Sequence, residues 1–194
     1  MADSDALLVQ LAAARRASAF PELMRRHGPA IHAYLLRRAS RDAADDLLSE
    51  VFLRAYATLG RYDDRWPDAR PWLYGIARNV LREHYRWHSA DQDGRALATH
   101  LPPDEDPWPE VDDRLDAAAR HASVHRALAL LAAGDREVLL LVTWEGLTPA
   151  EAAVALGIPQ GTARSRLFRA RAAMRDLLTE DPAARSAASQ QEAR

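Results

Sequence analysis

Apolar residues in this chain recur every three or four positions, and this spacing limits what it can fold into. Near 42–58 they are Leu47, Val51, Phe52, Ala55 and Leu59, and within 70–87 they are Leu73, Ile76, Ala77, Val80 and Leu81. Such spacing gathers side chains onto one face of a helix, whereas a half-buried strand alternates at every second residue. Ala and Leu dominate, and alternating runs of Val, Ile and Thr are missing. The fold class is therefore all-α. The pattern predicts helices over roughly 5–17, 19–38, 42–58 and 70–87, then 115–133, 135–145, 149–156 and 160–178. Gly28-Pro29 is placed to kink or split the second of these.

The two groups of helices are separated by a stretch of different character. Residues 88–122 hold nine acids, three Arg and four Pro, a net charge of -6, with little apolar periodicity. They read as a flexible acidic linker. The organisation is a small helical domain at 1–88, a linker at 89–122, a second small helical domain at 123–180 and a polar tail at 181–194. With no Cys, the chain has no disulfide, thiol nucleophile or Cys-based zinc site. Lys is also absent, so all 26 basic residues are Arg, whose planar fork suits phosphate and guanine. The acidic start MADSDALLVQ does not read as a signal peptide, and no run approaches a membrane span. A cytoplasmic protein without membrane insertion is expected.

The stretch from Thr148 to Met174 carries the clearest local code. Thr148 is a good N-cap, Pro149 suits the first helical position, and Glu151 completes a capping box. Gly157 can end that short helix with a positive φ, and Pro159 prevents its continuation. A second helix starts near Gln160 to Thr162, with Ala163 and Leu167 facing inward. A short helix, a tight turn and a basic second helix make a helix-turn-helix, whose second helix enters the DNA major groove. Thr162, Arg164, Ser165, Arg166 and Arg169 are the candidate contacts, with Arg171 and Arg175 on the flank. The helix dipole favours Arg at a helix C-terminus but not Arg164 and Arg166 in the first turns, which points to a DNA role for these two.

A second basic helix lies at Pro71–Arg86. Arg78, Arg82 and Arg86 form one stripe, with Asn79 and Glu83 beside it and Trp72, Tyr74, Tyr85 and Trp87 at the ends. Arg interleaved with aromatics suits unstacked, single-stranded bases. Tyr62 and Trp66, in the preceding loop, could shape a pocket for one extruded base. The competing reading is a solvated face with core aromatics. His84 with His88 and His121 with His125 are spaced for a shared metal, but without HExxH or a supporting carboxylate no metal is expected. Asp104, Glu105 and Asp106 read as linker charge. No catalytic constellation, nucleotide loop or cofactor site is found, so the chain is not expected to be an enzyme.

At these residues the sequence resembles the extracytoplasmic-function group of the sigma-70 family of bacterial sigma factors. Two blocks carry the likeness in the expected order: DAADDLLSEVFLRAYATLGRY with PWLYGIARNVLREHYR, then LALLAAGDREVLLLVTWEGLTPAEAAVALGIPQGTARSRLFRARAAM. The resemblance implies a sigma-2-like helical bundle and a sigma-4-like helix-turn-helix domain. It implies that Asp45, Asp46, Leu48, Glu50, Val51 and Phe52 dock on the β′ clamp helices of core RNA polymerase. Tyr62, Trp66, Arg78, Asn79, Arg82 and Arg86 would read and melt the −10 element of promoter DNA. The C-terminal domain would read the −35 element and touch the β flap, and an anti-sigma factor would restrain the protein. Departures from the family pattern are Glu83 where Asp is frequent, Ala44-Asp45 for Glu-Asp, Ala153 for Ile and Ala163 for Val. They are conservative or size-reducing and do not alter the pattern. The alternatives are a helix-turn-helix regulator that acts without replacing the sigma subunit, and an adaptor that does not touch DNA.

The linker reading has a direct consequence. Amide exchange across 88–122 is expected to be fast, because its apolar residues are too few to offset the entropy of ordering it. Slow exchange from Pro102 to Asp113 would reveal a structured element instead.

Overall fold

The structure, a computed structural model, describes residues 4–91 and 123–180, with side chains for 4–87 and 123–179. Its helices are α1 (Asp5–Ala13), α2 (Ala19–Leu36), α3 (Arg41–Ala57), α4 (Arg70–Asp91), α5 (residues 123–130), α6 (Ala133–Thr143), α7 (Pro149–Leu156) and α8 (Gln160–Glu180), and a 3₁₀ turn at Leu59–Arg61 follows α3. Helices α1 to α4 pack as one cluster and α6 to α8 as a second, with α4 lying against α7. The fold is all-α with two small helical clusters. Most of the proposed linker, and the tail from 181, lie outside the described residues.

Local sequence accounts for most helix starts. Ser4 and Ser40 cap α1 and α3 by accepting from the amides of Leu7 and Ala43. Helix α1 stops at Ala13, short of the expected end near 17, where the chain turns through Arg15 at φ 60°. Helix α2 is unbroken across Gly28-Pro29. Pro29 is exposed, while Leu23, His27, Ile31, Tyr34 and Leu35 bury one face on both sides of it, and that burial outweighs the hydrogen bond Pro removes. Helix α4 runs to Asp91, past the boundary at 88, because extending an existing helix costs little.

The core is continuous. Leu23, Ile31, Leu35, Val51, Leu73 and Val138 are all fully buried, and the buried apolar residues of both clusters form one connected set. Ala153 and Ala163, where the family pattern favours larger residues, are both buried, so their small size allows close helix approach.

One polar knot ties α1 into this core. The Asp5 carboxylate accepts from Arg26 Nη1 at 2.6 Å and from the Ala69 amide at 2.9 Å, and lies 2.7 Å from His27 Nε2. Asp5, His27 and Asp68 could bring three ligand atoms together. Arg26 and a backbone amide already fill the Asp5 oxygens, so the arrangement is an ion-pair knot and not a cation site. Burial by itself would raise the Asp5 pKa; the hydrogen bonds from His27 and Ala69, with the charges around them, outweigh it and hold the group at about 2.

A carboxyl depressed on folding stabilises the fold fully above its unfolded value of 3.8, and that contribution is lost as pH falls through about 2. Asp5→Asn is expected to cost about 2 kcal/mol at neutral pH. In urea titrations the gap between parent and variant should close between about pH 4 and pH 2. A gap of equal size at both ends of that range would show that the charge is not what matters.

Candidate nucleic-acid interface

Thr148 to Pro159 fold as their sequence dictates. Thr148 Oγ1 accepts from the Glu151 amide at 3.2 Å, and Glu151 Oε2 accepts from the Thr148 amide at 2.7 Å, closing the capping box. Gly157 takes φ 64° and ψ 37°, and the Ile158 amide bonds back to Ala153 O at 3.0 Å. Ile158 then packs against the core, and α8 leaves at Gln160. Ala163, Leu167 and Ala170 form the buried stripe of α8.

The opposite arc of α8 is open. Arg164, Ser165, Phe168, Arg171 and Arg175 are all exposed, with Phe168 at 75% in the middle. Ser165 Oγ donates to Thr162 O at 3.0 Å, and Thr162 is half-buried. Two of the Arg expected on this face are turned away from it. A Cβ on Gly134 would lie 2.8 Å from Arg166 Nη1, so Arg166 lies along the start of α6. Arg169 forms a two-point ion pair with Asp135, at 3.0 and 2.8 Å. Both partners come from α6, which sequence spacing does not reveal. Sequence spacing does not reveal the exposure of Phe168, because an apolar residue on a helix reads as core.

On α4 the basic stripe is divided. Arg82 and Arg86 are exposed, as is Asn79. Arg78 is instead engaged across the cluster boundary, donating through Nε and Nη2 to both oxygens of Glu137 at 2.9 and 3.0 Å. That hydrogen bond, with the nearby charge, raises the Arg78 pKa further despite burial. Tyr74 is buried and donates to Glu145 at 3.2 Å. In the preceding loop Tyr62 donates to the Trp66 carbonyl and meets Trp72 edge-on at 5.3 Å. Burial, then the negative charge of Asp5 and Asp68, pushes the Tyr62 hydroxyl up to about 12. Trp66 lines a groove with Val154, Gly157, Ile158 and Pro159, so the loop faces the turn of the helix-turn-helix.

Helix α3 presents a different face from the one its sequence suggests. Val51 and Phe52 are buried, the latter edge-on to Phe20 at 6.2 Å, and neither is available to a partner in this arrangement. Leu48 is partly buried against the same core. Glu50 is tied to Arg54, which also reaches Glu83. The open arc consists of Asp45, Asp46, Leu53 and Tyr56, with Leu53 at 65% and Tyr56 at 54% exposure. His32 Nε2 lies 2.8 Å from Asp45 Oδ1 but without hydrogen-bond geometry. Two exposed apolar side chains beside two acids fit a protein partner better than water.

Comparison with known proteins agrees with this geometry. The Sigma-70 region 2 family matches residues 23–90, and the Sigma-70, region 4 family matches residues 121–174. The ECF RNA polymerase sigma factor SigM of Mycobacterium tuberculosis is 36% identical over 179 residues, covering 90% of this chain and 85% of SigM. The RNA polymerase sigma factor CnrH of Cupriavidus metallidurans is 32% identical over 193 residues, covering 92% of this chain and 96% of CnrH. The structure of CnrH in complex with the cytosolic domain of CnrY superposes with a TM-score of 0.63 at 31% identity, covering 92% of this chain and 99% of that one. RpoE of Bartonella quintana, solved with the anti-sigma factor NepR, gives 0.59 at 26% identity, covering 84% of this chain and 98% of that one. The chain therefore belongs to the sigma-70 family, in its ECF group. It is an RNA polymerase sigma factor that directs transcription initiation, and it is not an enzyme.

The placement of the Arg side chains distinguishes two single substitutions. Arg164→Ala is expected to weaken binding to a cognate −35 duplex by about 1–3 kcal/mol, and to relax preference at one base pair. Arg166→Ala should lose less, because its guanidinium rests against α6. Equal losses in a fluorescence-anisotropy titration would show that Arg166 swings out to the DNA.

Proposed function

We propose that this sigma factor docks on core polymerase through the open arc of α3 and reads promoter DNA with α4 and α8. The observation that carries the reading is the open basic arc of α8, set by a helix-turn-helix within one chain with the acidic, apolar arc of α3. The β′ clamp helices are the proposed seat for Asp45, Asp46, Leu53 and Tyr56, with Glu50 and Leu48 at the rim. Val51 and Phe52 support that surface from inside. Arg82, Arg86 and Asn79, with Tyr62 and Trp66 in the loop, are proposed to meet the −10 element. Arg164, Ser165, Arg171 and Arg175 are proposed to meet the −35 element, with Thr162 holding Ser165. The β flap is the proposed seat for the outer side of the second cluster.

An anti-sigma factor is the proposed restraint. The support is that two structures like this chain are sigma factors held by partners: CnrH by the cytosolic domain of CnrY, and RpoE by the anti-sigma factor NepR. Among the described residues no helix is long and apolar enough to cross a membrane. A cytoplasmic site of action fits that and the proposed partners.

The test is run-off transcription with purified core polymerase. The parent is expected to give defined transcripts only when core enzyme is present, whereas a regulator that leaves the sigma subunit in place would give none of its own. Reversing Asp45 and Asp46 to Lys should leave the helical circular dichroism unchanged, since exposed acids add little to stability. It should weaken core binding in a salt-dependent way. A folded variant that binds core enzyme as tightly as the parent would remove α3 from the docking surface.

A further inference from the structure

Helix α1 carries an acid where its own pattern calls for an apolar residue. Asp5, Leu8, Val9 and Ala12 are its buried positions, spaced i, i+3, i+4 and i+7 along one face. A carboxylate in such a stripe adds little net stability, because desolvation offsets most of its pairing. What it adds is position, since an apolar side chain would pack there but could not accept a hydrogen bond. Arg26 and His27, two of its partners, belong to α2. The third is the backbone amide of Ala69, the residue just before α4, at 2.9 Å. An amide at a helix start has no acceptor within its own helix, so Asp5 fixes the point where the loop ends and α4 begins.

The same helix touches the loop elsewhere. It packs along the 3₁₀ turn at Leu59–Arg61, and Gln10 Nε2 donates to Asp64 Oδ2 at 3.4 Å. Between these ties Tyr62 donates to the Trp66 carbonyl, and burial, then the charge of Asp5, favours the protonated phenol that this bond needs. Helix α1 therefore meets the loop at its start, middle and end. It precedes residues 23–90, the part matched to Sigma-70 region 2, so that likeness does not extend to it. We propose that α1 is a brace for this loop, with Asp5 and Gln10 as positioning residues: they hold Tyr62 and Trp66 in the arrangement that takes a base of the separated −10 strand, and so set how strictly that base is selected. The proposal rests on the reading of Tyr62 and Trp66 as base contacts. An unbraced loop samples other conformations, and apparent affinity falls with the fraction that is competent to bind.

The test offers holoenzyme, assembled from core polymerase and the full-length chain, a pool of random single-stranded oligonucleotides and sequences the captured strands. The parent is expected to enrich one base at one position. Asp5→Ala should flatten that enrichment and bind the parent's selected strand roughly tenfold more weakly, as a loop competent about a tenth of the time predicts. Its affinity for core polymerase and for a −35 duplex should stay that of the parent. An equal loss of core affinity would reduce Asp5 to a residue that only stabilises the fold, and parental enrichment by a folded Asp5→Ala chain would overturn the brace. Should Asp5→Ala unfold, Gln10→Glu places a carboxylate against Asp64 from an exposed position. It should lower the enrichment in part, and Asp64→Asn in the same chain should restore it, a rescue that a general loss of stability would not show. Parental enrichment by Gln10→Glu would then overturn the brace instead. Trp66→Ala separates the two readings. If that variant keeps the parental enrichment, base selection by the loop falls and the brace falls with it. If it loses the enrichment while folded Asp5→Ala keeps it, the brace falls alone.

Discussion

Gly75 sits in the second turn of α4, where a Cβ would come within 3.1 Å of the Ala155 carbonyl oxygen. This close approach lets α4 and α7 lie side by side, and the rest of the arrangement follows from it. A Gly inside a helix costs about 1 kcal/mol relative to Ala, which here is offset by packing across the cluster boundary. With α4 held on both flanks, Tyr74 and Arg78 face the second cluster, while Asn79, Arg82 and Arg86 are exposed further along the helix. The basic stripe is thus divided by packing, although its spacing is uniform.

The distribution of charge follows the same logic. Among the described residues, Arg side chains near the cluster boundary are engaged by carboxylates of the opposite cluster, as with Arg37, Arg38 and Arg78. Arg169 is engaged within its own cluster by Asp135. Arg164, Arg171 and Arg175 are exposed on α8 beside Phe168. A chain with a net charge of -2 can still offer a basic surface, because its acids are gathered elsewhere. On α3 the complementary case holds: Asp45 and Asp46 border the exposed Leu53 and Tyr56. One protein therefore carries an acidic, apolar arc and a basic arc on separate helices.

Local codes were legible in the sequence because their physics is local. The Thr148–Glu151 capping box, the left-handed Gly157 and the inward stripe of Ala163 and Leu167 each depend on residues within a few positions. Helix number and order were legible too, since periodic burial dominates the energy of each segment. Helix ends were less so: α1 stops early at the Arg15 turn, and α2 ignores its Pro.

The sequence by itself determined an all-α fold, a helix-turn-helix with a basic second helix, and membership of a family with two such blocks. Tertiary structure decided which residues of each helix are free to act. Val51 and Phe52 are buried because α3 packs against both α2 and α4, with Phe20 edge-on to Phe52, and Tyr56, though it also meets Phe20 edge-on at 5.1 Å, stays half exposed. Arg166 and Arg78 are covered because α6 supplies Gly134 and Glu137 from distant parts of the chain. Periodicity fixes the angle of a side chain around its own helix axis. It carries no information about which neighbour covers that angle, and that is settled only when the helices pack.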